Sequence, residues 1–433
     1  MFGYYFDLAL RSLRRNKILT ALMVLSVSVG IALAMSSWTL VRLMSRDPIP
    51  EKSARLFVPT VDMWGPSNRG ADDEPPSLLD YDTATTLLRD HRATYQSAVY
   101  WVVPTVLPSR QGMRPFNASG FAVTGEFFPM LDAPFEYGSG WSDADDAARA
   151  PVAVISRQLN DKLFGGVDSV GKSLDIDGQD YRIVGVLGDF ETQPAYFDVP
   201  AFGGYMTQPT ALFLPFNTAI AAQMPAHGSQ DCQKSPKQPG FAGLLHSSCI
   251  WISYMAQLND ARAASRYRDY LAGLARQRYD WPPNVRLRSL MAWLDYMQVT
   301  PDAVRILRLV GIGLLVVCLV NTIGLMLAKF LRRSGEIGIR RAMGASRRAI
   351  YQQFLTEAAV IGMSGGVLGL GLTWLSMRWL RSKFPQSWEV LTHVDVRLLT
   401  TTLAVAVLST LLAALYPAFR SAHVKPAWQI KSQ

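Results

Sequence analysis

The chain has 433 residues, more than one ordinary core needs and enough for two domains or more. It is 49% hydrophobic but only 18% charged, with mean hydropathy +0.11; soluble domains carry roughly 25% charged residues, so the balance argues against a wholly soluble protein. The net charge of +9 leaves nucleic acid or a membrane surface as its counterpart until the basic residues are located along the chain.

The first apolar run covers residues 18–41, 24 residues without a charge. A helix needs about 20 apolar residues to cross the hydrocarbon core. Arg11, Arg14, Arg15 and Lys17 precede this run and Ala32-Leu-Ala34 looks like a cleavage site. The run nevertheless exceeds the roughly 7–15 residues of a signal core, so residues 18–44 are read as a retained first span. Residues 45–300 are polar and rich in turn signals, as expected of one large domain, or two subdomains, inserted between spans one and two.

Within that insert, residues 56–58 and 251–255 read as strands, and 78–91 and 260–279 as amphipathic helices. The mixture predicts α+β units built around antiparallel strands. The stretch Gly166-Val-Asp-Ser-Val-Gly171-Lys172-Ser173 fits the phosphate-binding pattern G-x-x-x-x-G-K-[ST] letter for letter. A phosphate-binding loop must lead from a strand into a helix. Here the stretch follows a predicted helix at 156–164. It leads into Leu174-Asp-Ile-Asp177-Gly178-Gln-Asp-Tyr181-Arg-Ile-Val-Gly-Val186, a β-hairpin with an Asp-Gly turn. Nucleotide binding is therefore rejected there. Asp175, Asp177 and Asp180 are read as solvated hairpin positions, and Asp143, Asp145 and Asp146 as a solvated acidic turn. Cys232 and Cys249 fall in this insert, and an oxidising compartment favours their pairing over two free thiols. No catalytic constellation is found, the five histidines are scattered, and no metal or cofactor is expected.

Three more apolar runs follow at 309–328, 358–377 and 398–419. They divide the rest into span two (301–331), a connector (332–353), span three (354–380), a loop (381–396), span four (397–419) and a tail (420–433). Basic residues cluster before span one, in the connector (Arg332, Arg333, Arg340, Arg341, Arg347, Arg348) and in the tail (Arg420, Lys425, Lys431). All three sets lie on one side when both termini are cytoplasmic. Arg378, Arg381, Lys383 and Arg397 form a weaker opposing set. The basicity is thus mainly a topology signal and nucleic acid is not needed to explain it. The insert then lies outside the cytoplasm and the chain sits in the inner membrane. Ser346 is positioned to cap a helix that runs on into span three. Gly362, Gly365, Gly366 and Gly369 form overlapping G-x-x-x-G spacings in that span; packing within the protomer and a dimer seam both stay open.

The connector Arg333-Ser-Gly-Glu336-Ile-Gly338-Ile-Arg340-Arg341-Ala-Met-Gly344-Ala345-Ser-Arg347-Arg348-Ala-Ile350 carries more order than a topology signal requires. It resembles the signature of MacB/FtsX-like permeases, membrane subunits of a class of ABC transporters. Asp7 to Lys17 resembles the family's amphipathic N-terminal segment, Val154 to Val186 its external domain, and Tyr416-Pro417-Ala418 through Lys425-Pro426 its closing motif. The resemblance implies a non-catalytic permease of four spans that pairs with a second protomer, as a homo- or heterodimer. It implies a separate cytoplasmic ABC ATPase, since no plausible Walker A occurs within the chain. That ATPase would meet Arg333, Glu336, Gly338, Arg340, Arg341, Gly344, Ala345, Arg347 and Arg348. An extracytoplasmic adaptor, an outer-membrane channel and membrane lipid are further expected partners. The expected role is export or extraction of a substrate. Control of a cell-wall hydrolase in the FtsX manner, or a membrane sensor, is kept as the alternative.

Overall fold

The computed structural model describes residues 2–44, 47–69, 71–108, 112–190, 195–202, 209–299, 302–383 and 396–422. Most of the predicted 381–396 loop, and the tail beyond 422 with Lys425, Pro426 and Lys431, lie outside these residues. The chain divides into two compact units, Met1–Ser45 with Thr300–Gln433, and Arg46–Val299.

The first unit is helical. An amphipathic helix, Phe2–Arg15, is followed by the helix Lys17–Met44. After the insert come Asp302–Arg332, the short connector helix Ser334–Ala342, Arg347–Lys383 and Val396–Ala422. Four of these are long and apolar enough to cross a membrane, over Lys17–Thr39, Ile306–Lys329, Arg347–Trp379 and Thr400–Phe419. In hydrocarbon every backbone polar group must be satisfied within the segment, which an uninterrupted apolar helix achieves. Met23, Val27 and Ile31 of span one pack with Ile361 of span three and Ala406 of span four in a common core. The glycines of span three make that packing close. A Cβ on Gly362 would stand 2.1 Å from the Thr410 hydroxyl, and one on Gly366 2.8 Å from Ala406, both in span four. A Cβ on Gly365 would stand 2.7 Å from Val27, and one on Gly369 3.1 Å from Ile31, both in span one. Alternate pairs of glycines thus seat span three against two neighbours of its own chain. Of the two alternatives left by the sequence, these contacts belong to packing within the protomer.

The second unit is built on strands β1 (Leu56–Val61), β2 (Tyr95–Val102), β3 (Thr105–Leu107), β4 (Phe116–Asn117), β5 (Gly120–Val123), β6 (Phe135–Gly138) and β7 (Val152–Ser156). They are followed by β8 (Ser173–Ile176), β9 (Gln179–Leu187), β10 (Leu212–Pro215), β11 (Asp231–Cys232), β12 (Cys249–Ile250), β13 (Ser253–Gln257) and β14 (Val285–Ser289). Among the described residues twelve strands form one sheet in the order β14-β1-β13-β2-β5-β10-β7-β9-β8-β3-β4, with β6 also on β9. Pairing is antiparallel except for β5 with β10 and β7 with β9. The α+β units expected from sequence therefore share a continuous sheet. Its central strands are buried on both faces, so successive residues feed opposite cores. In β10, Leu212 and Leu214 join one core and Phe213 the other; in β2, Tyr100 and Val99 divide the same way. Phe121, Phe127, Phe197 and Phe213 pack around one another with ring centroids 4.9–6.2 Å apart.

Local chemistry sets the ends of the elements. The helix predicted at 78–91 runs Tyr81–Asp90, because the Asp80 carboxylate accepts from the Thr83 amide and His91 closes it with φ 45°. Asp260 caps Ala261–Arg278 in the same way. The strand predicted at 251–255 is displaced to Ser253–Gln257. The acidic turn proves to be a short helix, Asp143–Ala147, with Ser142 and Asp145 forming a capping box. Asp146 is not solvated: it is 8% exposed and accepts from the Asn217 amide, and burial pushes its carboxyl up to about 6.

Candidate functional site: the basic connector

The helix of span two ends at Arg332, and the connector turns back through Ser334–Ala342. Gly344 reverses the chain at φ +98°, a conformation glycine adopts without strain. The Ser346 hydroxyl then accepts from the Ala349 amide at 3.2 Å, capping the helix that continues as span three. The turn is held by the amides of Met343 and Ala345, which donate to the carbonyls of Ile339 and Arg340.

The predicted residues separate into two groups. Arg333 and Glu336 belong to an ion network inside the unit. Glu336 meets Arg15 of the amphipathic helix at 2.5 Å and Arg333 at 3.8 Å. Arg333 also donates to the Ser12 hydroxyl and lies 3.8 Å from Glu357. Glu357 pairs with Lys329 at 2.6 Å, the two side chains being 5% and 3% exposed. Three cations and two carboxylates thereby join the amphipathic helix, the end of span two, the connector and the start of span three. Arg340, Gly344, Arg347 and Arg348 are instead exposed, and Ala345 is half-buried. The Arg340 guanidinium reaches Gln353 at 3.3 Å. Gly338 and Arg341 lie on the connector helix, where the surroundings of their side chains are outside the described residues.

Two features escaped the sequence reading. Lys329 and Glu357 flank the apolar runs that define spans two and three, so they read as span boundaries; an ionisable pair at the ends of two adjacent spans is itself a signal. Ile339 and Met343 are the other feature. They are 63% and 75% exposed, beside Arg340 and Arg347. The outward connector face is therefore both basic and apolar.

The nucleotide-like stretch in the insert has the opposite geometry to a phosphate cradle. It runs from the helix Arg157–Phe164, closed by Gly165 at φ 73°, into β8. Its amides are used internally: Val170 donates to Asp168, Gly171 to the Ile183 carbonyl and Lys172 to the Ser169 carbonyl. The Lys172 ammonium lies 5.0 Å from the Phe164 ring centroid. The following hairpin turns at Asp177 and Gly178, φ 52° and 80°, and the Asp177 carboxylate accepts from the Thr105 amide. Cys232 and Cys249 are bonded, across the β11–β12 pair. The loop they close is fastened by Trp64, whose indole donates to the Ser248 carbonyl at 2.8 Å, and by Phe241 set edge-on against Trp251.

Comparison with known proteins gives a consistent answer. Residues 20–271 match the MacB-like periplasmic core domain, and residues 308–426 match the FtsX-like permease C-terminal domain. The probable syringafactin export ATP-binding/permease protein SyfD of Pseudomonas syringae is 23% identical over 98% of this chain and 58% of its own length. The macrolide export ATP-binding/permease protein MacB of Pasteurella multocida is 26% identical over 86% of this chain and 52% of its own. The chain thus spans little more than half the length of these relatives. The periplasmic region of MacB from Actinobacillus actinomycetemcomitans aligns with 59% of this chain and 95% of its own, at 13% identity and a TM-score of 0.37. With one family model matching more than half of the chain and a second covering the last three spans, this protein belongs to the MacB/FtsX-like family of ABC transporter permeases.

Proposed function

We propose that the chain is a permease that converts the motion of a cytoplasmic ABC ATPase into movement of its inserted domain, driving export of a substrate from the outer side of the inner membrane. The observation that carries this reading is the division of the connector. Ile339, Arg340, Met343 and Arg347 face outward, while Arg333 and Glu336 are tied to spans and amphipathic helix. A push on the outward face reaches two spans at once through the ion network. The basic clusters orient the connector toward the cytoplasm and the insert away from it. A bonded Cys232–Cys249 pair accords with an oxidising compartment for the insert. The relatives named for syringafactin and macrolide export support export as the class of work. A photo-crosslinking residue at position 343 should capture an ABC ATPase in cells, whereas one at Val317, 56% exposed on span two, should not. Equal capture at both positions, or at neither, would remove the docking assignment.

A further inference from the structure

The amphipathic helix and span one meet span three along a groove of about 700 Å³, within the size range of small-ligand sites. Its walls have a directional chemistry. At one end stand Arg14 and Lys17, both exposed. Among the described residues neither has an acidic partner, whereas their neighbour Arg15 is engaged by Glu336. Away from this end the lining turns apolar, with Val24 and Leu25 of span one facing Val360 and Leu368 of span three. Leu25 and Leu368 are 56% and 54% exposed. From Lys17 to Leu25 the helical rise covers about 12 Å. The groove is thus cationic where span one begins and apolar toward the middle of the membrane.

We propose that this groove binds one anionic phospholipid, its phosphate held by Arg14 and Lys17 and one acyl chain laid between spans one and three. A soluble anion would leave the apolar walls unfilled, and a neutral chain would leave two adjacent cations without a counter-charge. A lipid carrying both satisfies both ends, as in other basic pockets at the cytoplasmic ends of spans. The proposal requires only that the spans cross a membrane, so it stands apart from the ATPase assignment.

The test is native mass spectrometry of the purified full chain titrated with phosphatidylglycerol, then with phosphatidylcholine of the same chains. Wild type should retain a single phosphatidylglycerol in preference to phosphatidylcholine. R14Q/K17Q should weaken that retention about thirtyfold. Ser364→Phe, placing a ring in the groove from an exposed position, should weaken retention of both lipids and leave the charge at the mouth intact. Inorganic phosphate should not displace the lipid. Unchanged retention in R14Q/K17Q, full retention in Ser364→Phe, or displacement by phosphate would each overturn the assignment, the last by showing a free-anion site only.

Discussion

The Lys329–Glu357 pair yields an asymmetric prediction. The two groups are 2.6 Å apart and almost wholly buried, and Glu357 has a second cation, Arg333, at 3.8 Å. Breaking a buried pair by removing one partner costs roughly 3–5 kcal/mol, because the other charge is left uncompensated. Glu357→Gln leaves Lys329 and Arg333 both facing an amide, so it should fall at the top of that range. Lys329→Met leaves Glu357 with Arg333, so it should fall at the bottom or below. The double variant removes both charges and should recover most of the loss. The charge swap K329E/E357K should not rescue, since it puts a lysine against Arg333. Thermal unfolding of the four variants in one detergent gives the cycle. Equal losses for the two single variants, or losses that simply add in the double variant, would refute the claim that the pair works as a buried unit with Arg333 as third member.

Three further outcomes follow from the geometry. Asp198 is 2% exposed and accepts from the Ser253 hydroxyl at 2.6 Å, and burial pushes its carboxyl up from the ordinary carboxylate range to about 7. The folded chain then holds a proton that the unfolded chain has lost, so this group's contribution falls as pH rises from about 4 to 7, by roughly 4 kcal/mol in total; Asp198→Asn should become progressively more stable relative to wild type across that window in thermal melts, and a flat difference would contradict it. Gly362→Val should fail to assemble spans three and four, because even a Cβ meets the Thr410 hydroxyl at 2.1 Å, whereas Gly371→Ala, with nothing within 4 Å of its Cβ, should be tolerated; protease resistance of the membrane unit distinguishes them. Reducing Cys232–Cys249, which closes a loop with sequence separation 17, should lower stability by about 3 kcal/mol, and thiol labelling of both residues in unreduced protein would count against the bridge.

Much of this architecture is legible in the sequence because it rests on local signals. Unbroken apolar runs mark the spans, and Asp177-Gly178 marks the hairpin through its two positive φ angles. The register of Gly362, Gly365, Gly366 and Gly369 marks close approach but not its partner; only the fold shows that alternate glycines face spans four and one. The single sheet is not legible, because the pairing of β5 with β10 joins segments about 90 residues apart. Asp146 was hidden for a similar reason. Its acidic neighbours are those of a surface turn, and the helix carrying Asn217 that covers it is distant in the chain. At the connector the residues are legible in the sequence but their direction is not. Arg333 and Glu336 share one signature with Arg340 and Arg347, yet the first two pair with charges of their own unit, Glu336 while still 41% exposed, and the last two are exposed. Arg333 should accordingly be less tolerant of substitution than Arg348, although both stand near the margins of the connector.

Glu336→Lys does not isolate docking from integrity, since Glu336 contacts Arg15 and Arg333 of its own chain. Met343 does, being 75% exposed at the tip of the connector. The most direct measurement is therefore substrate-stimulated ATPase activity of the reconstituted transporter carrying Met343→Asp. A carboxylate there places charge where an apolar contact is expected and opposes the acidic rim that Arg340 and Arg347 would meet, a mismatch that can cost several kcal/mol at an interface. The account predicts that stimulation is lost while the thermal midpoint of the permease stays at the wild-type value; wild-type stimulation from a correctly inserted Met343→Asp transporter would contradict it.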